Sequence, residues 1–243
     1  MLFFDFINPY IVYIFFFLLT VFSIFSIFTY KDFIVKHKKK IYLIVSILLI
    51  WTQLARYIGV FFKEDVSWSF WIFNFRILAF NVTTHLPFYM CRFSVVVLLA
   101  YTLTGNKKLE SFLFYWGALG IFGILYPNGP MDNIANLTET FYIDHFFLTL
   151  IPFFLYVYEG YQPSKRDALI ITGVMALLLY GFIPINSWVG SDYFYLTEQS
   201  VFGLWFPGQS SFVFATVHYL AIGLFFIIYY NIFRFIGKRR SGE

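Results

Sequence analysis

PYIVYIFFFLLTVFSIFSIFTYKDFIVKHKKKIYLIVSILLIWTQLARY, Pro9 to Tyr57, decides the fold: two long apolar runs flank Lys31, Lys36, Lys38, Lys39 and Lys40. A membrane span needs roughly 20 mostly apolar residues. Two such runs around a cationic linker read as two transmembrane helices joined on the side where Lys and Arg accumulate, the cytoplasm. Working outward, seven windows of this kind follow one another, at about 8–30, 41–62, 86–104, 109–126, 141–158, 167–186 and 211–235. The other basic clusters, Lys107 with Lys108, Lys165 with Arg166, and Arg234, Lys238, Arg239 and Arg240, all fall on the same side of that arrangement.

The expected fold is therefore an all-α polytopic membrane protein of seven helices, a single membrane-embedded domain over 1–243, with its N-terminus outside and its C-terminus cytoplasmic. Met1-Leu2-Phe3-Phe4-Asp5 lacks a basic n-region, and the run after it exceeds a signal-peptide core, so it reads as a retained first helix. The composition agrees: 60% hydrophobic, 25% aromatic and 12% charged, where soluble domains are about half apolar and a quarter charged. A single cysteine excludes an internal disulfide and any multi-cysteine metal or iron–sulfur site, and no cofactor or metal is expected. The lysines of KDFIVKHKKK read as a topology signal and an anchor to anionic membrane lipids rather than a nucleic-acid site.

Two outer connections are unlike solvated loops. Residues 63–85 contain Trp68, Phe70, Trp71, Phe73, Phe75, Arg76 and Phe80, and 187–210 contain Trp188, Tyr193, Phe194, Tyr195, Phe202, Trp205 and Phe206. They read as interfacial or re-entrant segments, or as an aromatic belt. Asn81-Val82-Thr83 and Asn136-Leu137-Thr138 match a glycosylation pattern that is common by chance, and neither is assigned a role.

Ionisable groups inside a bundle are costly and mark function by default. At about 1.5 Å per residue from the outer helix ends, Arg56 lies about 9 Å deep, Cys91 and Arg92 about 7–9 Å, His145 about 6 Å and His218 about 10 Å. Four windows thus place polar groups in one outer layer, while the inner halves read as nearly pure apolar. His85, Tyr89 and Arg92 would share a helical face, as would Gln53, Arg56 and Tyr57. Each group also has a plainer reading: Cys91 as a small buried hydrophobe, His218 as a helix–helix hydrogen bond, Arg56 as a snorkelling side chain. Asp144 beside His145 places a carboxylate next to an imidazole, although adjacent helical residues point about 100° apart.

Several motifs in order resemble the YwaF-type family of bacterial integral membrane proteins and, distantly, eukaryotic multi-span phospholipid acyltransferases. Family members carry Leu-Pro-x-His-x-Cys at a helix start, matched by Leu86-Pro87-Phe88-Tyr89-Met90-Cys91, then a Tyr-Phe/Trp-Trp-Gly leading to a proline, matched by Phe114-Tyr115-Trp116-Gly117 and Pro127. A helix-start histidine is matched by His145. Gly-x-Asn-Tyr-x-x-Leu resembles Gly190 to Leu196, and Gly-Pro-Trp-Pro resembles Gly203-Leu204-Trp205-Phe206-Pro207. Tyr89 stands where the motif has histidine and Asp192 where it has asparagine, so chemistry at Cys91 has to use His145.

The resemblance implies a bacterial plasma-membrane protein acting on membrane lipids. The leading expectation is an outer-leaflet lipid acyltransferase or transacylase. In it Cys91 is the nucleophile, His145 the general base, Asp144 or Asp192 its orienter and Tyr89 an oxyanion donor. Arg56 and Arg92 bind a headgroup, and His85, Gln53, Asp192, Tyr193 and His218 line the site. Two alternatives stand beside it: a non-catalytic binding or transport protein for an amphipathic or anionic ligand, and an assembly partner of another membrane protein. The absence of internal repeats weighs against a conduit.

Overall fold

The computed structural model describes residues 9–64, 66–70, 73–77, 88–125, 139–197 and 205–241, without the side chains of 55, 56, 66–70, 73–77, 139 and 140, among others. The described residues of all seven apolar windows are mostly helical. In chain order the helices are α1 (Pro9–Thr29), α2 (Lys31–Tyr57), α3 (Met90–Thr104), α4 (Glu110–Gly117), α5 (Gly120–Leu125), α6 (Glu139–Phe154), α7 (Lys165–Val189) and α8 (Ser211–Ser241). The stretches Lys107–Leu125, Phe141–Glu159, Lys165–Val189 and Ser211–Gly237 are each long and apolar enough to cross a membrane. The pair Tyr13–Thr29 and Lys31–Leu54, bent by 115°, passes the same test together, and α3 is a shorter apolar helix. The chain is a polytopic membrane protein built mainly of helices.

Three local differences from the expectation have plain causes. Residues 31–40 are not a loop: α2 begins at Lys31, because lysine is a good helix former and no Gly or Pro intervenes. The fourth window is two helices interrupted at Ala118-Leu119. Within the 63–85 connection the chain forms an antiparallel hairpin, β1 (Val66–Phe70) on β2 (Phe73–Ile77), with Val66 opposite Ile77 and Phe70 opposite Phe73. Its aromatic and β-branched residues suit strands.

In lipid, helix association gains little from the hydrophobic effect and relies on close van der Waals contact and hydrogen bonds, so small residues mark interfaces. Here they form a seam. A Cβ added at Gly117 would meet Ile151 Cγ2 at 2.8 Å, one at Gly120 would meet Leu148 Cβ at 2.7 Å, and one at Gly123 would meet His145 Cδ2 at 1.9 Å. The glycines rise by three along α4 and α5 while their partners fall by three along α6, as in an antiparallel pair. Trp116, immediately before the first of these glycines, is 1% exposed and donates from Nε1 to the Met90 carbonyl at 3.3 Å, tying α4 to the start of α3.

At the lysine-rich end the expectation of purely apolar inner halves fails. Pro152 lies within α6, and the helix then widens into a π turn over Leu155–Glu159, closed by Gly160 in the left-handed region (φ 71). That turn carries Glu159 to Lys38 Nζ at 2.9 Å and to the Tyr42 hydroxyl, and Tyr101 donates to Glu110 at 3.3 Å. Ser46 donates to Thr102 at 2.7 Å one turn further in. Glu110 and Glu159 flank connections in the sequence, which hides that folding draws them inward. α7 is capped by Ser164, whose Oγ accepts from the Asp167 N–H at 3.0 Å, and ends at Gly190 (φ 71).

Candidate functional site

Opposite the lysines, four chain segments meet. α3 begins at Met90, with Tyr89 as its extended N-cap (φ −73, ψ 142), so Tyr89 is not on the helical face expected for it with Arg92. The two still meet: the Arg92 guanidinium lies 4.8 Å above the Tyr89 ring, a cation–π arrangement. Cys91, half-buried one residue into the helix, is hydrogen-bonded to the side chain of His145 on α6. The imidazole is 6% exposed, and its Nδ1 lies 2.8 Å from the Phe141 carbonyl. A carbonyl only accepts, so Nδ1 carries the proton and the lone pair sits on Nε2, the nitrogen left to accept from a thiol. His37 and His218 are anchored in the same way to Phe33 and Phe214, each at 2.8 Å. This anchorage is therefore a general helical habit, and the thiol partner is what distinguishes His145.

The Phe141 carbonyl anchors the imidazole, and Asp144, 2% exposed, reaches α2, where Oδ1 accepts from Thr52 Oγ1 at 2.8 Å. The divergence follows from the 100° step between adjacent helical residues. Gln53 Nε2 donates to Thr52 Oγ1 at 3.2 Å, so its role begins as a prop of this buried bond. Asp144 still acts electrostatically on His145 from alongside.

The fourth segment follows α7. The Asn186 side chain accepts from the Tyr193 N–H at 2.9 Å and from Ser191 Oγ at 3.0 Å, and donates to the Tyr193 carbonyl at 2.8 Å. Tyr193 is fully buried, 5.2 Å from the Tyr89 ring. Phe194 (φ 64) and Tyr195 (φ 54) are both in the left-handed region, which costs a non-glycine residue roughly 1–2 kcal/mol each. Tyr195 comes out 5.2 Å from Tyr89, and Cys91, Tyr89, Arg92 and Asp192 all act electrostatically on its phenol. Burial pushes the Tyr89 and Tyr195 phenols up, so both are protonated donors at neutral pH. Asp192 Oδ2 accepts from Thr197 at 2.7 Å while Oδ1 is buried without a partner among the described residues, and burial pushes the carboxyl up.

The fold thus brings Cys91, His145, Tyr89, Arg92, Tyr193 and Asp192 into one neighbourhood, with Gln53 and Asp144 behind it. His218, 8% exposed, belongs to α8, which packs chiefly on α7. His85, Pro127 and both Asn-x-Thr sites lie outside the described residues, as do the side chains of Arg56 and Arg76. Sequence reasoning passed over Gly123, Thr52, Asn186 and Tyr195. Gly117, Gly120 and Gly123 at intervals of three were a legible signal for the first, and an asparagine closing an apolar helix before Gly-Ser-Asp for the third.

Among the described residues no cluster of three or more His, Cys, Asp and Glu side chains is placed to hold a metal ion. The arrangement can move a proton from a thiol to an imidazole beside a cation and two phenols, the inventory of a nucleophilic site. Neither a curated protein nor a solved structure matches the chain. A family model matches residues 4–230, nearly the whole length, and by that match the chain belongs to the TMEM164 family, a family of membrane proteins.

Proposed function

We propose that this protein is a lipid acyltransferase or transacylase, and that the hydrogen bond between the Cys91 thiol and the His145 imidazole carries the reading. In the reaction His145 Nε2 takes the thiol proton as the Cys91 sulfur attacks an ester carbonyl of a donor phospholipid. The carbon–sulfur bond forms, the ester carbon–oxygen bond breaks, and the proton passes from His145 to the departing lysophospholipid oxygen. The thioester is then attacked by the hydroxyl of an acceptor lysophospholipid, with His145 taking that proton and returning it to the sulfur. In this reading Arg92, its guanidinium 4.8 Å over the Tyr89 ring, binds the lipid phosphate.

The site sits at the end opposite Lys31 to Lys40, and by the positive-inside rule that end belongs to the outer leaflet in this reading. Acyl-coenzyme A is absent there, so a second lipid is the acyl donor. The test is mass spectrometry of lipids after incubating purified protein with a labelled lysophospholipid in phospholipid vesicles. Transfer that disappears in both Cys91→Ala and His145→Ala supports the reading. Transfer that persists in Cys91→Ala removes the cysteine as nucleophile, and no transfer by wild type, with a lipid or solute copurifying, turns the site into a binding pocket.

A further inference from the structure

Two aromatic residues in succession, Phe194 and Tyr195, hold left-handed backbone at the end of a helix. Such a conformation persists when its surroundings over-determine it, and it concentrates at functional sites. The surroundings here are ample. Asn186 grips Tyr193 through both its N–H and its carbonyl. Phe194 is 1% exposed and 4.8 Å from Phe182, and the Tyr195 N–H donates to the Asp192 carbonyl at 3.1 Å. Every one of these contacts fixes the backbone, and together they turn the Tyr195 ring onto Tyr89, two residues from Cys91.

Tyr89 is less suited to serve a reacting group. The Arg92 guanidinium already lies 4.8 Å over its ring, and the Tyr193 ring meets it edge-on at 5.2 Å. We propose that Tyr195 is the residue whose hydroxyl stabilises the negative charge arising beside Cys91, first on the sulfur and then on the ester carbonyl oxygen as the carbon–sulfur bond forms. The second half rests on the acyl-transfer reading, and the first half does not. No proton leaves the phenol in this role: it donates a hydrogen bond while His145 carries the proton. Such a donor acts on the transition state more than on bound substrate, so it governs kcat rather than KM.

The test compares wild type, Tyr195→Phe and Tyr89→Phe in phospholipid vesicles, by steady-state acyl transfer to labelled lysophospholipid and by the rate at which N-ethylmaleimide labels Cys91. Cys91 is the only cysteine, so the label reports one sulfur. Tyr195→Phe keeps the ring that packs on Tyr89, and an unchanged melting temperature checks that the loop is intact. The expected result is a loss of about 10²-fold in kcat with KM within about twofold, together with slower labelling. A protein that transfers acyl groups equally well with Tyr195→Phe, or in which only Tyr89→Phe lowers kcat, overturns the inference and leaves the acyl-transfer reading standing. If wild type transfers nothing, that reading falls and labelling decides: equal rates in wild type and Tyr195→Phe overturn the inference, and a slower rate in Tyr195→Phe supports the phenol as partner of the sulfur.

Discussion

Gly123→Ala is the smallest change that should disable the site. A methyl carbon at that position would stand 1.9 Å from His145 Cδ2 and 2.4 Å from Nε2. Carbon atoms rest about 3.5 Å apart at closest favourable contact, so the ring must retreat by about 1.6 Å or the two helices must part. The imidazole is held from behind by the Phe141 carbonyl at 2.8 Å, which limits the retreat. Moving a catalytic group by about 1 Å can cost on the order of 10² in rate, and overpacking costs about 1–3 kcal/mol of stability.

Gly120→Ala provides the comparison, because its Cβ would meet Leu148 Cβ at 2.7 Å and touch no part of the imidazole. Both variants should melt lower by a similar amount. Gly123→Ala alone should lose about two orders of magnitude in acyl transfer and show altered maleimide labelling of Cys91. Equal activity in the two variants, at equal loss of stability, would refute the idea that the glycine seam delivers His145 to the thiol.

Three further outcomes follow from the same geometry. Thr52→Val removes the donor to the buried Asp144 carboxyl and should cost about 1–3 kcal/mol, whereas Thr52→Ser should melt close to wild type in the same detergent. Asn186→Leu deletes three hydrogen bonds to the Ser191–Tyr193 segment. It should lower activity and raise hydrogen exchange at the amides of 191–195 while leaving α1 and α2 unaffected. Asp192 holds its proton more tightly folded than unfolded, because burial disfavours its charge. The stability it contributes is therefore complete below the ordinary carboxylate range and declines as pH rises through its raised folded value. Asp192→Asn should flatten that decline above the ordinary carboxylate range, and an unchanged pH profile of the melting temperature would contradict the assignment.

Burial and anchoring can also be separated among the histidines. His37, His145 and His218 make the same bond to the carbonyl four residues back. A helix supplies that bond to a histidine whatever its function, so sequence spacing could not rank the three. The side chain that meets the imidazole from another helix ranks them, Cys91 in the case of His145. Asp144 teaches the converse. Its adjacency to His145 in sequence gave no sign of the bond it accepts from Thr52 on α2.

Membrane insertion is a local property: about 20 apolar residues partition into lipid whatever surrounds them. Pro9 to Tyr57 and the windows after it therefore announced a polytopic helical protein without reference to any contact. The polar layer containing Cys91, Arg92 and His145 was legible for the same reason, since depth along a helix needs only counting. Which helix packs on which is not a local property. The approach of α5 to α6 through Gly123, the meeting of the thiol with the imidazole, and the left-handed turn that aims Tyr195 all arise from contacts between residues far apart in sequence. Tertiary structure decided those, because in lipid the fit of side chains between helices, not their partition, selects the partners.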